Sequence, residues 1–389
     1  MKIIQINASY KPAFIYGGPT MSVSKLSEVL ASQGIDLNVL TTCANGDQEL
    51  DVVLGQKIIL DQVPVTYYKR LTKDHTHFSP ALYLALWNRL KTERRNTANN
   101  DILIHVHTWW NLVSVICCMI SVFKKVPVVL SPRGTLSAYS FGNRNNLFKN
   151  IIFKITKPLL NRCHVHVTSE NERKAIISLL QPKTVTVIPN LVSLPANETL
   201  NLRKDINEEE FKLLFFSRIE EKKGLEMLFS ALATKQLNYQ LTIAGSGDSK
   251  YIGQLKNLAK SLDIHGRISW IGQQPAEYKF SIMADHDLMV LPSYDENFAN
   301  VVIESLATGT AVLVTENVGL SDYVLKNDFG WVCIRDDIHI RDGLLNAASN
   351  RQKLRNIRER APLIIREDFS DQLLGQRYIM LYNEVITSK

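Results

Sequence analysis

The regular alternation of short apolar strands with helices constrains this chain more than any other feature of its sequence. Residues 2–7 (KIIQIN) predict a first strand, followed by a polar turn and a helix that ends near Gly34. The pattern then repeats, with strands at 37–41, 102–106, 127–131 and 164–168 and helices near 79–95, 110–123, 145–161 and 170–180. Such alternation is typical of a parallel sheet with helices on both faces.

A second alternation begins after a polar, proline-bearing stretch at 188–210, whose lack of periodicity marks it as an interdomain linker. Its strands are predicted at 211–217, 240–244, 267–271, 287–291, 311–314 and 331–334, and amphipathic helices close the chain over 341–388. The length of 389 residues also suits two domains.

We therefore expect an α/β protein of two Rossmann-like domains. The first covers 1–192 and is completed by the C-terminal helix 372–389, and the second covers 193–371. Because ligands of such sheets bind at the carboxyl ends of the strands, two facing domains would form one ligand cleft between them.

The composition, with 45% hydrophobic and 21% charged residues, is that of a soluble globular protein. The apolar stretch 112–123 has 12 residues against the roughly 20 of a membrane span, which predicts a buried helix. The first apolar segment is too short for a signal peptide, so we expect a cytoplasmic location. The five cysteines have no C-x-x-C spacing and are expected to be reduced, without a disulfide framework or a zinc cluster.

The net charge of +7 is concentrated in the first half, since residues 1–195 carry +11 and residues 196–389 carry −4. This asymmetry predicts an anionic partner for the first half. We expect a membrane surface and no nucleic acid. The segment 143–162 has five basic residues and no acid, and it contains a possible apolar stripe of Phe148, Ile151, Ile152, Ile155 and Leu159. We expect the stripe to face the core and the basic back to be solvated, while the charge brings this domain near anionic lipids.

The stretch 291–304 (LPSYDENFANVVIE) runs from an apolar strand through a polar turn into an amphipathic helix. The helix is predicted to begin near Phe298 or Ala299. Glu296 then precedes the helix N-terminus, where free backbone N–H groups can hold an anion. Glu304 lies roughly two turns into the helix, so the two carboxylates are about 10 Å apart. They can hold the two ends of one elongated polar ligand.

Two basic residues, Arg218 and Lys223, lie just before a helix whose start is marked by Gly224. A guanidinium and an ammonium at a helix N-terminus suit a diphosphate. The open alternative is a solvated charge cluster with the adjacent acids Glu220 and Glu221. The chain has no Walker sequence, and its G-S-G at 245–247 is only half of a dinucleotide fingerprint, so hydride transfer with NAD has little support.

In these motifs the chain resembles the retaining nucleotide-sugar glycosyltransferases of family 4, which have the GT-B fold. The most specific match is E-x7-E at Glu296 and Glu304, followed by R-x4-K-G at 218–224. Weaker matches occur in the same order along the chain: Gly17-Gly18, the H-x-H of His105 and His107, SPRG at 131–134 and IPN at 188–190. The resemblance spans almost the whole chain.

The resemblance implies a role for each residue of the donor site. Glu304 would accept hydrogen bonds from the nucleotide ribose, which suits a carboxylate, and Glu296 would face the donor sugar. Arg218 and Lys223 would neutralise the leaving diphosphate and so replace a metal; neither a metal nor another cofactor is expected. Backbone N–H groups would meet the sugar and diphosphate along three consecutive residues, Phe298, Ala299 and Asn300.

On the other domain, the resemblance places His107 near the anomeric centre and the acceptor. It places Gly17 and Gly18 near the diphosphate and acceptor, with a plain turn as the alternative. Arg133 could bind an anionic acceptor or simply cap the sheet edge, and both interpretations stay open. His105 is expected to be a packed core histidine.

A second H-x-H pair, His164 and His166, raises the question of a metal site. No carboxylate or cysteine completes such a site convincingly, so the sequence gives it little support.

Three residues depart from the family pattern: Ala299 where glycine is usual, Ala311 where proline is common, and Leu191 where glycine often follows I-P-N. The first matters most, because an added methyl group beside the donor pocket narrows donor choice. None of the three removes an ionisable group expected to act.

The activity that the resemblance implies is transfer of a sugar, with retention, from a UDP- or GDP-sugar to a hydroxyl of a glycan or lipid-linked acceptor. Its expected setting is bacterial envelope polysaccharide synthesis, such as lipopolysaccharide O-antigen, capsule or exopolysaccharide, at the inner face of the cytoplasmic membrane. Two alternatives stay open: a nucleotide-sugar epimerase of the same architecture, and a non-catalytic sugar-nucleotide-binding protein.

Overall fold

The computed structural model describes residues 1–96, 101–137, 140–141, 146–195, 210–234 and 236–388. The chain forms two compact units, one of Met1–Leu191 with Ser370–Lys389 and one of Val192–Phe369. The domain limits expected from the sequence, after 192 and at 372, lie one and two residues from these boundaries.

The first unit is built on an eight-stranded sheet with the order β10-β9-β8-β7-β1-β2-β6-β5. Its strands are β1 (Lys2–Ile6), β2 (Asp36–Thr42), β5 (Lys57–Leu60), β6 (Val63–Tyr68), β7 (Ile102–His107), β8 (Val128–Ser131), β9 (His164–Val167) and β10 (Thr184–Val187). A separate short pair is formed by β3 (Ala44–Asn45) and β4 (Gln48–Glu49).

Strands β5, β6 and β10 and the β3–β4 pair were not predicted, and the prediction of a wholly parallel sheet is wrong at one edge. There β5 pairs antiparallel with β6. The edge strands β5 and β10 are short and only partly buried, whereas β6 is largely buried but contains Pro64, which interrupts its apolar run. Apolar patterning detects buried central strands more readily than edge strands.

Helices cover this sheet and complete its core. They are α1 (Gly18–Ser32), α2 (Pro80–Asn96), α3 (Leu112–Phe123), α4 (Asn146–Leu160), α5 (Glu170–Leu179) and the C-terminal α13 (Asp371–Thr387). One hydrophobic core joins side chains of α2, α3 and α4 to β1, β7 and β8. The helix α13 packs against α1 and reaches the sheet, where the Tyr382 hydroxyl lies 2.8 Å from His105 Nδ1.

The second unit has a wholly parallel six-stranded sheet with the order β13-β12-β11-β14-β15-β16. Its strands are β11 (Phe211–Phe216), β12 (Tyr239–Ala244), β13 (Ile268–Gly272), β14 (Leu288–Leu291), β15 (Ala311–Thr315) and β16 (Gly330–Cys333). Its helices are α6 (Leu225–Leu232), α7 (Ser249–Ser261), α8 (Lys279–Ala284), α9 (Asn300–Ala307), α10 (Ser321–Asn327), α11 (Asp337–Ser349) and α12 (Arg351–Asp368).

The prediction of two Rossmann-like α/β units is confirmed. In each, the strand order reverses beside the first strand: β1 neighbours β7 and β2, and β11 neighbours β14 and β12. The loops that leave neighbouring strands at such a reversal are the usual ligand-binding position of this architecture. Those loops therefore define where to look for a site in each unit.

Candidate functional site

In the second unit, the loops after β11 and β14 carry the two most specific sequence motifs. The first loop passes through Gly224, which has a left-handed φ of 72°. A side-chain carbon on Gly224 would lie 2.2 Å from the carbonyl oxygen of Pro292 in the second loop. Glycine is required here for both its conformation and the close approach of the two backbones.

The same two loops are joined residue by residue. The Tyr294 N–H donates to the Lys222 carbonyl at 2.8 Å, and the Lys222 ammonium lies 3.2 Å from Asp295. One position further along, Lys223 Nζ lies 2.5 Å from Glu296 Oε1. These two side chains are only 11% and 15% exposed, so the ion pair is largely shielded from water. The fold thus brings together two predicted site residues that are 73 positions apart.

Glu296 is also fixed through its backbone. Its N–H donates to Asn317 O at 3.1 Å, and its carbonyl accepts from the Gly319 N–H at 2.8 Å. The carboxylate therefore projects from a segment that is anchored on both sides.

The helix that follows, α9, begins later than predicted. It starts at Asn300, and Ala299 is its N-cap with φ 71° and ψ 72°, a left-handed conformation that is unfavourable for a residue with a side chain. Glu304 is consequently the fifth helical residue, a little more than one turn from the start and not two as expected. Phe298 is buried with its ring 6.3 Å from that of Phe369.

Glu304 also has a lysine partner that was not predicted. Lys279, the first residue of α8, places Nζ 2.7 Å from Glu304 Oε1. No motif marks this lysine, because it lies in an ordinary helix 25 positions away. We call Lys223, Glu296, Lys279 and Glu304 the lysine–glutamate cluster.

Arg218 takes a more open position. Its side chain is 58% exposed and pairs with Glu220 at 2.7 Å, the contact that the solvated-cluster alternative describes. The glycine turn after β12 packs on the loop that carries it, since a side-chain carbon on Gly245 would lie 1.8 Å from Ser217 O. Arg218 therefore extends from a tightly packed backbone with its guanidinium accessible to solvent.

In the first unit, residues of the four weaker motifs meet at Arg133. Its Nε donates to His107 Nδ1 at 3.3 Å, and one terminal nitrogen donates to Ser22 Oγ at 3.1 Å and to Asn190 Oδ1 at 2.7 Å. Ser22 in turn donates to the Gly18 carbonyl at 2.9 Å. The H-x-H, SPRG, IPN and Gly17-Gly18 segments thus meet at one buried guanidinium. We call Arg133, His107, Ser22 and Asn190 the arginine cluster.

The arginine cluster is charged but has no acidic partner among the residues that the structure describes. The partners of the Arg133 guanidinium are an imidazole nitrogen, the hydroxyls of Ser22 and Tyr378, and an amide oxygen, all of them neutral. A buried cation whose partners are all neutral retains a strong attraction for an anion. Arg133 also has a left-handed φ of 52°, so its backbone is in an unfavourable conformation.

His107 is neutral and has one proton to offer. Because Nδ1 accepts from Arg133, the ring proton lies on Nε2. Nε2 is buried and has no hydrogen-bond partner in the described part of the chain. Burial above all, with His105 and Arg133 adding to it, holds the pKa of His107 well below its usual range. A neutral donor of this kind suits an oxygen of a bound ligand.

Beneath His107, the side chain of His105 is part of a buried hydrogen-bond chain. His166 Nε2 lies 2.8 Å from the Ile188 carbonyl and must donate to it, so His166 Nδ1 accepts from Ser131 Oγ at 2.7 Å. Ser131 then accepts from His105 Nε2 at 2.7 Å, and His105 Nδ1 accepts from Tyr382 at 2.8 Å. His105 is thus a fully buried core histidine, as expected.

The two histidines of this buried hydrogen-bond chain, His105 and His166, are neutral. Burial first, and then His166 and Arg133, keeps the pKa of His105 well below its usual range, and burial with Arg133 lowers the pKa of His166 to about 3. His164 bonds to Thr184 at the sheet edge. Within the described ranges, no three His, Cys, Asp or Glu side chains are placed to hold a metal ion.

Comparison with known proteins gives two matching family models. Residues 16–194 match "Glycosyltransferase Family 4" and residues 197–363 match "Glycosyl transferases group 1". Among curated proteins, the N-acetyl-alpha-D-glucosaminyl L-malate synthase of Bacillus anthracis is 22% identical over 387 residues, covering 95% of this chain and 94% of the relative. The lipopolysaccharide 1,2-N-acetylglucosaminetransferase of Salmonella typhimurium is 27% identical, over 51% of this chain and 56% of its own.

Among solved structures, HepE of Anabaena in complex with UDP and glucose matches with a TM-score of 0.73 and 19% identity. The match covers 99% of this chain and 100% of that one. The two family models together extend from residue 16 to residue 363 with a gap of two residues, and the solved structure shares the fold of both units. The chain therefore belongs to the family 4 glycosyltransferases, with the GT-B fold.

Proposed function

We propose that this protein transfers a sugar, with retention, from a nucleoside-diphosphate sugar to a hydroxyl of a glycan or lipid-linked acceptor. The observation that carries the proposal is the lysine–glutamate cluster, which lies on the loops and helices beside the strand reversal of the second unit. It combines acids for a sugar and a ribose with one cation, Lys223, for a diphosphate.

In this proposal, the second unit binds the donor. Glu304 accepts from the ribose, Glu296 accepts from a sugar hydroxyl, and the N–H groups at Phe298, Ala299 and Asn300 meet the diphosphate. Lys223 binds two partners in turn: its ammonium pairs with Glu296 before the donor arrives and with the diphosphate afterwards. A diphosphate attracts that ammonium strongly, so donor binding leaves Glu296 free to accept from the sugar.

The chemical step follows from the charges. The acceptor oxygen forms a bond to the anomeric carbon on the face from which the diphosphate departs. The bond from that carbon to the diphosphate oxygen breaks, and this oxygen takes the proton of the acceptor hydroxyl. Arg218 and Lys223 stabilise the negative charge that develops on the leaving group, a contribution of a few kcal/mol per contact. Two cations make a metal unnecessary for this step.

In the same proposal, the first unit binds the acceptor. His107 offers its Nε2 proton to an oxygen, and Arg133 offers a positive charge that its neutral partners leave uncompensated. An acceptor with an anionic group near its reacting hydroxyl fits both. One relative is named for L-malate, a dicarboxylate, which agrees with an anion at this position.

The destination we propose is a bacterial envelope polysaccharide, such as lipopolysaccharide O-antigen, capsule or exopolysaccharide. The Salmonella typhimurium relative is named for lipopolysaccharide. We also propose a UDP- or GDP-sugar as donor; the HepE structure, which was solved with UDP, supports the first of these.

A screen of UDP-, GDP- and ADP-sugars by mass spectrometry tests the activity. Slow release of nucleoside diphosphate and free sugar from one donor, without any acceptor, is the expected result. Formation of a rearranged nucleotide sugar from the donor alone would instead identify an epimerase. Binding of a donor with no conversion, in the presence of envelope glycan or lipid-linked fractions, would identify a non-catalytic protein.

We further propose that the first unit works at the inner face of the cytoplasmic membrane, through the outer surface of α2, α3 and α4. The segments 80–96, 112–125 and 146–162 hold ten Lys and Arg residues against one acid, Glu93. Glu93 is paired with Lys2 and lies 4.0 Å from Arg89 of α2. This helical layer therefore carries a large excess of positive charge.

Large apolar side chains are exposed on the same three helices, opposite the core that they share. They are Leu84 on α2, Met119 and Phe123 on α3, and Ile151 and Ile155 on α4. The expectation that the stripe of α4 faces the core is wrong for Ile151 and Ile155, which are 56% and 72% exposed. The expectation is correct for Leu159, which packs against the core. The side chain of Phe148 lies outside the described residues.

Exposed apolar side chains among lysines are what an anionic lipid surface binds. Charge complementarity thus favours lipid over a protein partner for this layer. No helix in the described part of the chain is long and apolar enough to cross a membrane.

A further inference from the structure

Lys279 and Glu304 form a contact that none of the motifs anticipates. Lys279 Nζ lies 2.7 Å from Glu304 Oε1, and the two side chains are 20% and 14% exposed. In the described part of the chain, Lys279 is the hydrogen-bond partner of the Glu304 carboxylate. The helices that carry them, α8 and α9, pack against each other, so the contact is part of the fold of the second unit.

The geometry leaves acceptor capacity on Glu304. A carboxylate has two oxygens with about four lone-pair directions, and the ammonium uses one of these on Oε1. Oε2 can therefore still accept from a ligand, while the charge of the group is already balanced.

We propose that Lys279 is a positioning residue for nucleotide recognition: it holds the Glu304 carboxylate in one orientation, so that its free oxygen accepts from the ribose. This inference rests on the proposed donor-binding function of the second unit. It adds a residue that acts through Glu304 and does not itself touch the reacting atoms.

The physical reason is the loss of water that accompanies binding. A nucleotide that covers Glu304 removes the remaining solvent from a carboxylate that is already 86% shielded, which is costly for an uncompensated charge. The neighbouring ammonium supplies the countercharge from within the protein. It also fixes the rotamer before the ligand arrives, which reduces the entropy lost on binding.

The two lysines of the lysine–glutamate cluster thus have different roles. Lys223 leaves Glu296 and pairs with the diphosphate when the nucleotide binds, whereas Lys279 stays paired with Glu304. A change at Lys279 is therefore expected to weaken recognition of the ribose in particular.

The test compares nucleotides with and without the ribose 2′-hydroxyl. UDP, GDP and ADP and their 2′-deoxy forms are titrated by calorimetry into the full-length protein and into Lys279→Met, which keeps most of the side-chain length without the charge. The wild-type protein is expected to prefer the ribose form of one nucleotide. In Lys279→Met the affinity for this form falls about tenfold, as for the loss of one charged hydrogen bond, and the 2′-deoxy form changes by less than about twofold.

Two further variants sharpen the result. Lys279→Arg retains a cation and is expected to restore most of the ribose preference. Lys326→Met removes an exposed lysine of α10 in the same unit and is expected to leave all affinities unchanged.

An unchanged ribose preference in Lys279→Met, whether both forms bind as before or both weaken equally, would overturn the positioning role and leave the proposed function standing. Failure of all three nucleotides to bind the wild-type protein would instead overturn the proposed donor site, and this inference with it.

Discussion

At the scale of single residues, the candidate donor site consists of acids that are already paired with cations. Lys223 holds Glu296 at 2.5 Å and Lys279 holds Glu304 at 2.7 Å, and all four side chains are largely shielded. Shielded pairs exert stronger electrostatic effects than exposed ones, because water screens them less. A ligand with both hydroxyls and phosphates can satisfy the two acids and Lys223 together.

Lys223→Ala is expected to lower kcat about 100-fold, since the leaving diphosphate loses a preplaced cation. Steady-state kinetics with the donor found in the sugar-nucleotide screen measures this loss. Thermal unfolding of the variant checks that the fold survives the unpaired Glu296.

The control for this prediction is Lys222→Ala, which removes the neighbouring lysine that pairs with Asp295. We expect it to retain most of the activity. Equal kcat values for the two variants would show that Lys223 has no special role in turnover.

At the scale of elements, close packing of the loops after β11 and β14 positions the acids. Gly224 is the contact point, because it is left-handed and its Cα faces Pro292 O. The arginine cluster shows the same principle in the first unit, where β7, β8 and α1 bring His107, Arg133 and Ser22 together.

Gly224→Ala is expected to destabilise the protein by about 2 kcal/mol or more, through both left-handed strain and a clash with Pro292 O. Urea unfolding followed by circular dichroism measures the change. Gly253→Ala in the middle of α7 is the matched control, because an added carbon meets no atom within 4 Å there and alanine favours a helix. We expect this control to be neutral or stabilising; a similar loss in both variants would contradict the assignment.

The buried histidine chain beneath the arginine cluster makes stability depend on pH. His105, His107 and His166 are neutral when folded, and their pKa values lie below the unfolded value, at about 3 for His166. Below about pH 6.5 the unfolded chain binds protons that the folded chain does not. The free energy of unfolding therefore decreases as pH falls from about 6.5, by up to about 1.4 kcal/mol per pH unit for each histidine.

Urea unfolding between pH 7 and pH 5 measures this slope, which is expected to be smaller in His166→Gln than in the wild-type protein. His265→Gln replaces an exposed histidine outside this hydrogen-bond chain and controls for the substitution itself. A His166→Gln slope equal to that of the wild type would show that this histidine does not titrate as described.

At the scale of the whole molecule, the charge is divided between the two units. The excess of positive charge lies in the first unit, and the outer surface of α2, α3 and α4 concentrates it beside exposed apolar side chains. The second unit, which carries the lysine–glutamate cluster, has a small negative excess. Attraction to an anionic surface therefore acts on one unit.

The full-length protein is expected to sediment with vesicles of phosphatidylcholine and phosphatidylglycerol, and not with phosphatidylcholine alone. Added salt should weaken this binding, since screening reduces the attraction. Reversing two exposed charges of α4, Lys154→Glu with Lys157→Glu, is expected to lower the affinity at least tenfold, at roughly 1 kcal/mol for each lysine removed.

The matched control reverses two exposed lysines of the second unit, Lys260→Glu with Lys326→Glu. If this control loses binding to the same extent as the α4 variant, attraction is a property of total charge and the helical surface is not the membrane contact.

Local patterns in the sequence determined the architecture of this protein. Strand and helix periodicities depend on neighbouring residues, and they predicted two α/β units with largely parallel sheets, while the resemblance carried by the motifs implied the GT-B fold. The same patterns missed the edge strands β5 and β10, whose partial burial weakens the apolar signal, and β6, whose apolar run is interrupted by Pro64. The positions of Glu296, Glu304, Arg218 and Lys223 were also readable from spacing.

Tertiary structure alone decided which of these residues touch. Strand order brings Lys223 to Glu296 and Lys279 to Glu304, and the turn after β8 brings Arg133 to His107. It likewise left Ile151 and Ile155 facing solvent, although the helical pattern fits a core-facing stripe equally well. The physical reason is that sequence periodicity sets the face on which a side chain lies, whereas the packing of distant elements sets what lies opposite that face.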